Sequence, residues 1–213
     1  MNPSLPRRRL LAGAAAATLA ATARAATRVP TAAQMEGPFY PRTLPLDDDN
    51  DLTRVRGVDR VAEGVITDLE GRVFDLDGRA LAGVRVEIWQ VDARGGYHHV
   101  GGMGGDDLDP GFQGWGRTTT DADGRWRFRT VRPVAYPGRV PHVHFALTPR
   151  GTTRRFATQM YLAGHPGNAS DFVFASVADP AARAALEVAL APATAPGAQL
   201  AGRFDITLDR TAG

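Results

Sequence analysis

His142-Val143-His144-Phe145-Ala146-Leu147-Thr148 alternates as a strand does, so side chains two apart share a face. Val143, Phe145 and Leu147 then point into a core, while His142 and His144 point together to the opposite side. Just upstream, Tyr136-Pro137-Gly138-Arg139 sets a phenol before a Pro-Gly turn and a fixed cation after it. Tyr136 can fold back towards the imidazoles, which gathers three potential metal ligands and one guanidinium between Tyr136 and His144. A histidine on a strand is usually structural, so at this point a metal site and a plain packing role both stand open.

The same alternation recurs along the chain. Residues 69–76 read as a strand closed by the turn residues Asp75-Leu76-Asp77-Gly78-Arg79. Val84, Val86 and Ile88 alternate with Arg85, Glu87 and Trp89, the pattern of a half-buried strand. Asp121-Ala122-Asp123-Gly124 is a hairpin-type turn that leads to Trp126, Phe128 and Thr130 on one face and three arginines on the other. Residues 156–162, 172–176 and 203–208 read as further strands. One helix is expected near residues 180–190, with Asp179 as its cap and Pro180 at its first position. Short strands at regular spacing predict an all-β fold, a β-sandwich of mostly antiparallel strands with long loops and one short C-terminal helix.

The chain of 213 residues divides into three parts. Residues 1–25 carry Arg7-Arg8-Arg9 before an apolar run and end in Ala23-Arg24-Ala25, the signature of a cleaved export signal of the twin-arginine kind. The protein is therefore expected in the periplasm or outside the cell, with no stable membrane span after cleavage; the apolar run is too short to serve as one. Residues 26–60, rich in Pro, Asp and Arg, are expected to form an irregular arm around a β-sandwich domain of residues 61–213. The acidic run 47–51 reads as a solvated loop, with a calcium site as the alternative. Without its leader the chain holds 21 basic against 23 acidic residues, and no basic run argues for nucleic acid.

There is no cysteine and no lysine. Thiolate metal sites, iron–sulfur clusters, thiol nucleophiles and lysine Schiff bases are thereby excluded. HExxH, GxSxG, P-loop and dinucleotide patterns are absent as well. The donors that remain are His and Tyr, and a tyrosine with an ordinary pKa near 10 ligates at neutral pH only to a highly charged ion. Fe(III) suits that requirement better than Zn(II) or Mg(II). A long Gly-rich loop, about residues 92–116, contains Gly95-Gly96-Tyr97-His98-His99, and loops of this length usually carry function or are disordered.

These residues, taken together, carry a family resemblance. Glu36-Gly37-Pro38-Phe39-Tyr40, Val86-Glu87-Ile88-Trp89-Gln90, Gly96-Tyr97, Asp109-Pro110-Gly111-Phe112, Tyr136-Pro137, Pro141-His142-Val143-His144-Phe145 and Gln159-Met160-Tyr161 occur in one order. In that order the chain resembles the intradiol ring-cleavage dioxygenases, nearest to the protocatechuate 3,4-dioxygenase type. The resemblance implies non-haem Fe(III) held by Tyr97, Tyr136, His142 and His144, with Tyr136 and His144 axial. It also implies that Arg139 and Gln159 steady the substrate ring, and that Tyr136 leaves as a phenolate to take a substrate proton. The implied reaction joins a catechol-type diol and both atoms of O2 into a cis,cis-muconate-type diacid. Outside that set His98 and His99 read as loop-surface residues, His165 as a turn residue, and Tyr40 and Tyr161 as packing residues, with Tyr40 able to line the pocket.

Only five residues separate Tyr136 from His142, so the resemblance implies a smaller lid and a more open pocket than in the well-studied relatives. Oligomeric state stays open, with an oligomer possible. Two other readings compete: a non-catalytic exported β-sandwich that binds a carbohydrate or a partner, and a His-dominated copper or zinc site that would tolerate loss of both tyrosines.

Overall fold

The computed structural model describes residues 28–98 and 107–209. The expected leader, His99 and the Gly-Gly-Met-Gly-Gly stretch lie outside the described residues. Two five-stranded sheets form a sandwich. In the first, β1 (Ile66–Asp75) pairs antiparallel with β4 (Arg125–Val131) and parallel with β9 (Leu200–Arg203) and β10 (Ile206–Leu208). A short β8 (Leu190–Pro192) adds to β9. The second sheet runs β3 (Trp115–Thr119), β2 (Arg85–Trp89), β5 (His142–Thr148), β6 (Phe156–Leu162), β7 (Glu187–Val188). The histidine strand is therefore its central member.

One core joins the sheets. Leu69, Val73 and Phe128 from the first share it with Ile88, Val143, Phe145 and Leu147 from the second, all buried. Trp126 meets Phe145 edge-on across the interface at 5.3 Å. Burying one such side chain contributes about 1.5–3 kcal/mol, so the alternation of β5 fixes which face turns away from this core.

Pairing is mostly antiparallel, as expected, although β9 and β10 run parallel to β1 and β7 runs parallel to β6. Several expectations change. β2 is not half-buried: Glu87 is 2% and Trp89 1% exposed, since the N-terminal arm and Arg155 cover its outer face. The Asp121–Gly124 turn closes as expected, with Asp121 N donating to Arg125 O (3.0 Å) and Gly124 N to Asp121 O (3.0 Å). Its two flanking strands nevertheless belong to different sheets, so it is a corner of the sandwich and not a hairpin.

Residues 172–176 form a helix, α1 (Phe172–Ala175), in place of a strand. The Phe-Val-Phe run favours a strand, but the Asp171 carboxylate accepts from Val173 N and Phe174 N and caps a helical turn instead. The helix expected over 180–190 ends early: α2 (Pro180–Ala184) keeps the Asp179 cap and leading proline, and the chain then returns to strand. Among the described residues helical structure thus comes in two short pieces and a 3₁₀ turn at Asn168–Ser170, not one helix.

The strand expected over 203–208 is broken between β9 and β10. Phe204 N donates to Glu70 O (2.9 Å) and Arg72 N to Asp205 Oδ1 (2.9 Å). Gly71 is required there, since a Cβ would stand 1.9 Å from Phe204 O.

Residues 28–65 contain no strand and pack onto the sandwich, with Leu52 and Ala62 reaching its core. Thr31 N donates to Thr207 O (3.0 Å) and Gln34 N to Ala157 O (2.8 Å). The acidic run is occupied by turns and arginines: Asp51 accepts from Thr53, Asp47 from Arg56, and Asp48 pairs with Arg117. Among the described residues no helix is long and apolar enough to cross a membrane.

Candidate metal centre and cleft

Strand register assembles the site. Trp89 lies opposite His144, Gln159 opposite His144 on the other side, and Tyr161 opposite His142. Both imidazoles stand on the β5 face away from the core and are 2% exposed. His142 Nδ1 donates to Val140 O (2.6 Å), because a carbonyl only accepts, and this leaves its Nε2 as a lone pair. That nitrogen stands 3.1 Å from His144 Nε2. Two nitrogens each roughly 2.0–2.1 Å from one ion stand about this far apart at adjacent coordination positions.

His144 is held differently. Its ring stacks on Trp89 at 4.9 Å and 9°, and its buried Nδ1 has no hydrogen-bond partner. Gly37, at φ +75°, brings the arm close enough that a Cβ would touch His144 Cε1 at 3.4 Å. Burial, reinforced by Arg139, depresses the His142 imidazole to about 4. Burial and the neighbouring His142 hold His144 well below the ordinary histidine value, so both rings are neutral ligands near pH 7.

Two phenols complete the group. Tyr97 follows β2 on a loop tied down by buried Asp92, which accepts from Arg94 N (2.9 Å), Gly96 N (3.0 Å) and Asp109 N (2.9 Å). His98 Nε2 stands 3.2 Å from the same carboxylate, so His98 anchors the loop and is not a surface residue. The Tyr97 ring stacks on Phe39 at 4.4 Å and lies 5.5 Å from Tyr136 and 6.4 Å from His144.

Tyr136 reaches the same place through a tight turn. Arg139 N donates back to Tyr136 O (2.9 Å) across Pro137 and Gly138, the latter at φ +83°. Its ring is 5.4 Å from His142. With so tight a turn, this segment contributes no lid.

These donors fit a highly charged cation. Among the described residues no three His, Cys, Asp or Glu side chains converge as a metal site, so an ion held by the imidazole pair would need the phenols as its further donors. Tyr97 Oη is buried and has no hydrogen-bond partner. Burial, then Tyr136, pushes the Tyr97 phenol far above its ordinary value. A phenolate is stable there only with a cation against it.

Beside the phenols and imidazoles lies a network in which every charge is matched. Arg139 Nε donates to Asp171 Oδ2 (2.8 Å) and Nη2 to Gln159 Oε1 (2.6 Å) and, more weakly, Tyr161 Oη (3.4 Å). Tyr161 Oη donates to Gln159 Oε1 (3.0 Å), and Gln159 Nε2 to Met35 O (3.1 Å). Burial works against the Arg139 charge, but Asp171 outweighs it and raises the guanidinium. Tyr161 therefore does more than pack. Tyr40 is turned away from the site: its Oη donates to buried Glu87 (3.2 Å) behind Trp89, with the Arg155 guanidinium 4.1 Å above its ring.

Asp171 escaped the sequence reading because it lies 32 residues from Arg139. Its only local signal is the N-cap position of α1. Phe39 and Gly37 were quoted for the motif they belong to, without a role.

A cleft of about 290 Å³ opens onto this centre, lined by Met35, Pro38, Phe39, Tyr136, Arg139, His144 and Phe172, among others. Tyr97 and His142 do not line it. A larger hollow of about 640 Å³ beside Arg150 and Arg154 holds none of these donors; chemistry, not size, selects the cleft.

A family model described as Dioxygenase matches residues 35–210. The chain belongs to the intradiol ring-cleavage dioxygenases. It is 36% identical over 171 residues to the protocatechuate 3,4-dioxygenase beta chain of Burkholderia cepacia, covering 77% of this chain and 72% of that one. It is 32% identical over 174 residues to catechol 1,2-dioxygenase 2 of Acinetobacter lwoffii, covering 73% of this chain but only 60% of that one. The dioxygenase domain of a dioxygenase–carbohydrate-binding fusion from Streptomyces sp. SirexAA-E superposes with a TM-score of 0.63 at 32% identity, over 85% of this dioxygenase chain and 99% of that domain. Family membership leaves the reading as a non-catalytic binding module without support.

Proposed function

We propose that this protein opens an ortho-diol aromatic ring between its two hydroxyl-bearing carbons with O2, giving a cis,cis-muconate-type diacid. Tyr97, Tyr136, His142 and His144 would hold non-haem Fe(III) for that reaction. The observation that carries the reading is the convergence of two phenols and two neutral imidazoles at the end of a cleft that also holds a fixed cation. Bound there, ferric iron supplies Lewis acidity towards the diol oxygens and a template for ring and dioxygen.

The chain's own residues divide the remaining work. Of the two phenols Tyr136 is the one that lines the cleft, and it is therefore assigned the substrate proton. Arg139, oriented by Asp171, offers a positive charge where the ring becomes electron-rich, and needs no reorganisation to do so. Gln159 orients that guanidinium from below and is itself fixed by Met35 O. Pro38, Phe39 and Phe172 line the cleft with apolar surface, which limits water around the reacting diol.

The test is the visible spectrum and iron content of purified protein, before and after adding catechol. A red-brown phenolate-to-iron band that shifts with catechol, and is lost in Tyr97→Phe and Tyr136→Phe, is expected. Colourless protein after ferric reconstitution, or tyrosine variants with unchanged metal and activity, would sink the reading in favour of a His-dominated site.

A further inference from the structure

The cleft has an apolar neighbour. Met35 and Phe172 line both the cleft at the metal centre and a second hollow of about 430 Å³, whose other walls are Ala33, Gln34, Val173 and Ser176. These two side chains form a ridge between the spaces, 55% and 62% exposed respectively. Single exposed hydrophobic residues are ordinary on a protein surface, but two sharing the mouth of one cleft are not.

The ridge is also fixed relative to the chemistry. Phe172 is the first residue of α1, directly after Asp171, the carboxylate that holds Arg139, and its ring lies 5.4 Å from that guanidinium carbon. Met35 is pinned through its carbonyl by Gln159 Nε2 at 3.1 Å. Asp171 and Gln159, the two residues that hold the Arg139 guanidinium, therefore also place the ridge. A contact surface prepared in this way binds without a large ordering cost.

Charge narrows what crosses it. Among the described residues no charged side chain lines the second hollow, and in the first the one charged side chain is Arg139, already matched by Asp171. A carboxylate on the substrate ring would find no unmatched cation in either space and would lose its hydration.

We propose that the site takes an ortho-diol bearing an uncharged, extended apolar substituent, such as a second ring, which lies across the Met35–Phe172 ridge into the adjoining hollow. This rests on the diol reading of the same site. It sets the chain apart in substrate class from a relative named for a carboxylated diol.

The experiment compares catechol, biphenyl-3,4-diol and 3,4-dihydroxybenzoate. Binding to metal-free protein is measured by titration calorimetry, and kcat/KM with iron-loaded protein. Biphenyl-3,4-diol is expected to be favoured over catechol by about tenfold or more, with 3,4-dihydroxybenzoate no better than catechol. Phe172→Ala should remove most of that preference and Phe172→Leu keep most of it; both side chains are exposed, and melting curves check that the variants fold. Equal treatment of the three diols in both measurements, or a preference that survives both Phe172→Ala and Met35→Ala, overturns the proposal. Cleavage of all three diols regardless of Phe172 would leave ring cleavage standing and end this inference. Ridge-dependent binding with no cleavage of any diol would do the reverse.

Discussion

Two polar clusters sit side by side on the outer face of β5 and obey opposite rules. Around Arg139 each charge has a partner: Asp171, Gln159, Tyr161 and Met35 O form a closed set of hydrogen bonds. Around the two histidines, buried atoms are left without partners, among them Tyr97 Oη and His144 Nδ1, and the two imidazole Nε2 atoms face each other at 3.1 Å. A buried polar group without a partner costs about 1–3 kcal/mol. The closed cluster is satisfied by its own residues, whereas the open one keeps donors to spare for the metal ion proposed above.

The comparison breaks most sharply if the open cluster is emptied of ligands. Loss of an outer partner at a metal site costs 10–100-fold, so Tyr97→Phe or His144→Gln, each removing a donor itself, is expected to exceed about 100-fold in activity. Iron content by absorption spectrometry should fall with it; full iron occupancy in either variant would contradict the division. Asp171→Asn probes the closed cluster. Asparagine keeps the cap on α1 but strands Arg139, and breaking a buried pair costs about 3–5 kcal/mol. Urea denaturation should show that loss, with Asp171→Ala worse by about 1 kcal/mol for the lost cap.

Acid sharpens the contrast further. The folded value of His142, about 4, lies below the ordinary histidine value, so the unfolded chain takes up its proton first. In metal-free protein that stability is present in full above about pH 6.5 and is lost as pH falls towards 4, amounting to roughly 3 kcal/mol. Asp171 is held low, against its own burial, by Arg139 and the Phe174 N–H, so its share is lost only below the carboxylate range. Urea midpoints taken every half unit should fall between pH 6.5 and 4.5; a flat profile there would show that the imidazoles are not buried as neutral groups.

The sequence was readable where one period governed. The alternation of residues 142–148 and 156–162 placed β5 and β6 and put both histidines on one face, since a single slip would expose Val143 and Phe145. It failed where a side chain overruled local preference. Asp171 turned a β-favouring Phe-Val-Phe into a helical turn, and the same carboxylate became the partner of Arg139. The Asp121–Gly124 turn had the chemistry of a hairpin, yet no local rule says that its arms enter different sheets. His98 looked like loop surface because its partner, Asp92, becomes one only after the loop folds back.

The arm ties the first described residues to the last strand: Thr31 N donates to Thr207 O (3.0 Å) and Thr207 N to Thr31 Oγ1 (2.9 Å), a separation of 176 positions. A few residues further on, the arm supplies Met35, Gly37 and Phe39 to the cleft. The segment a ribosome makes early therefore gains these partners only after β10 has emerged, and pairing at such separation is slow to form. On this arrangement the cleft is among the last features to be finished, and a chain cut before β10 would be expected to lose the tie that holds its cleft wall.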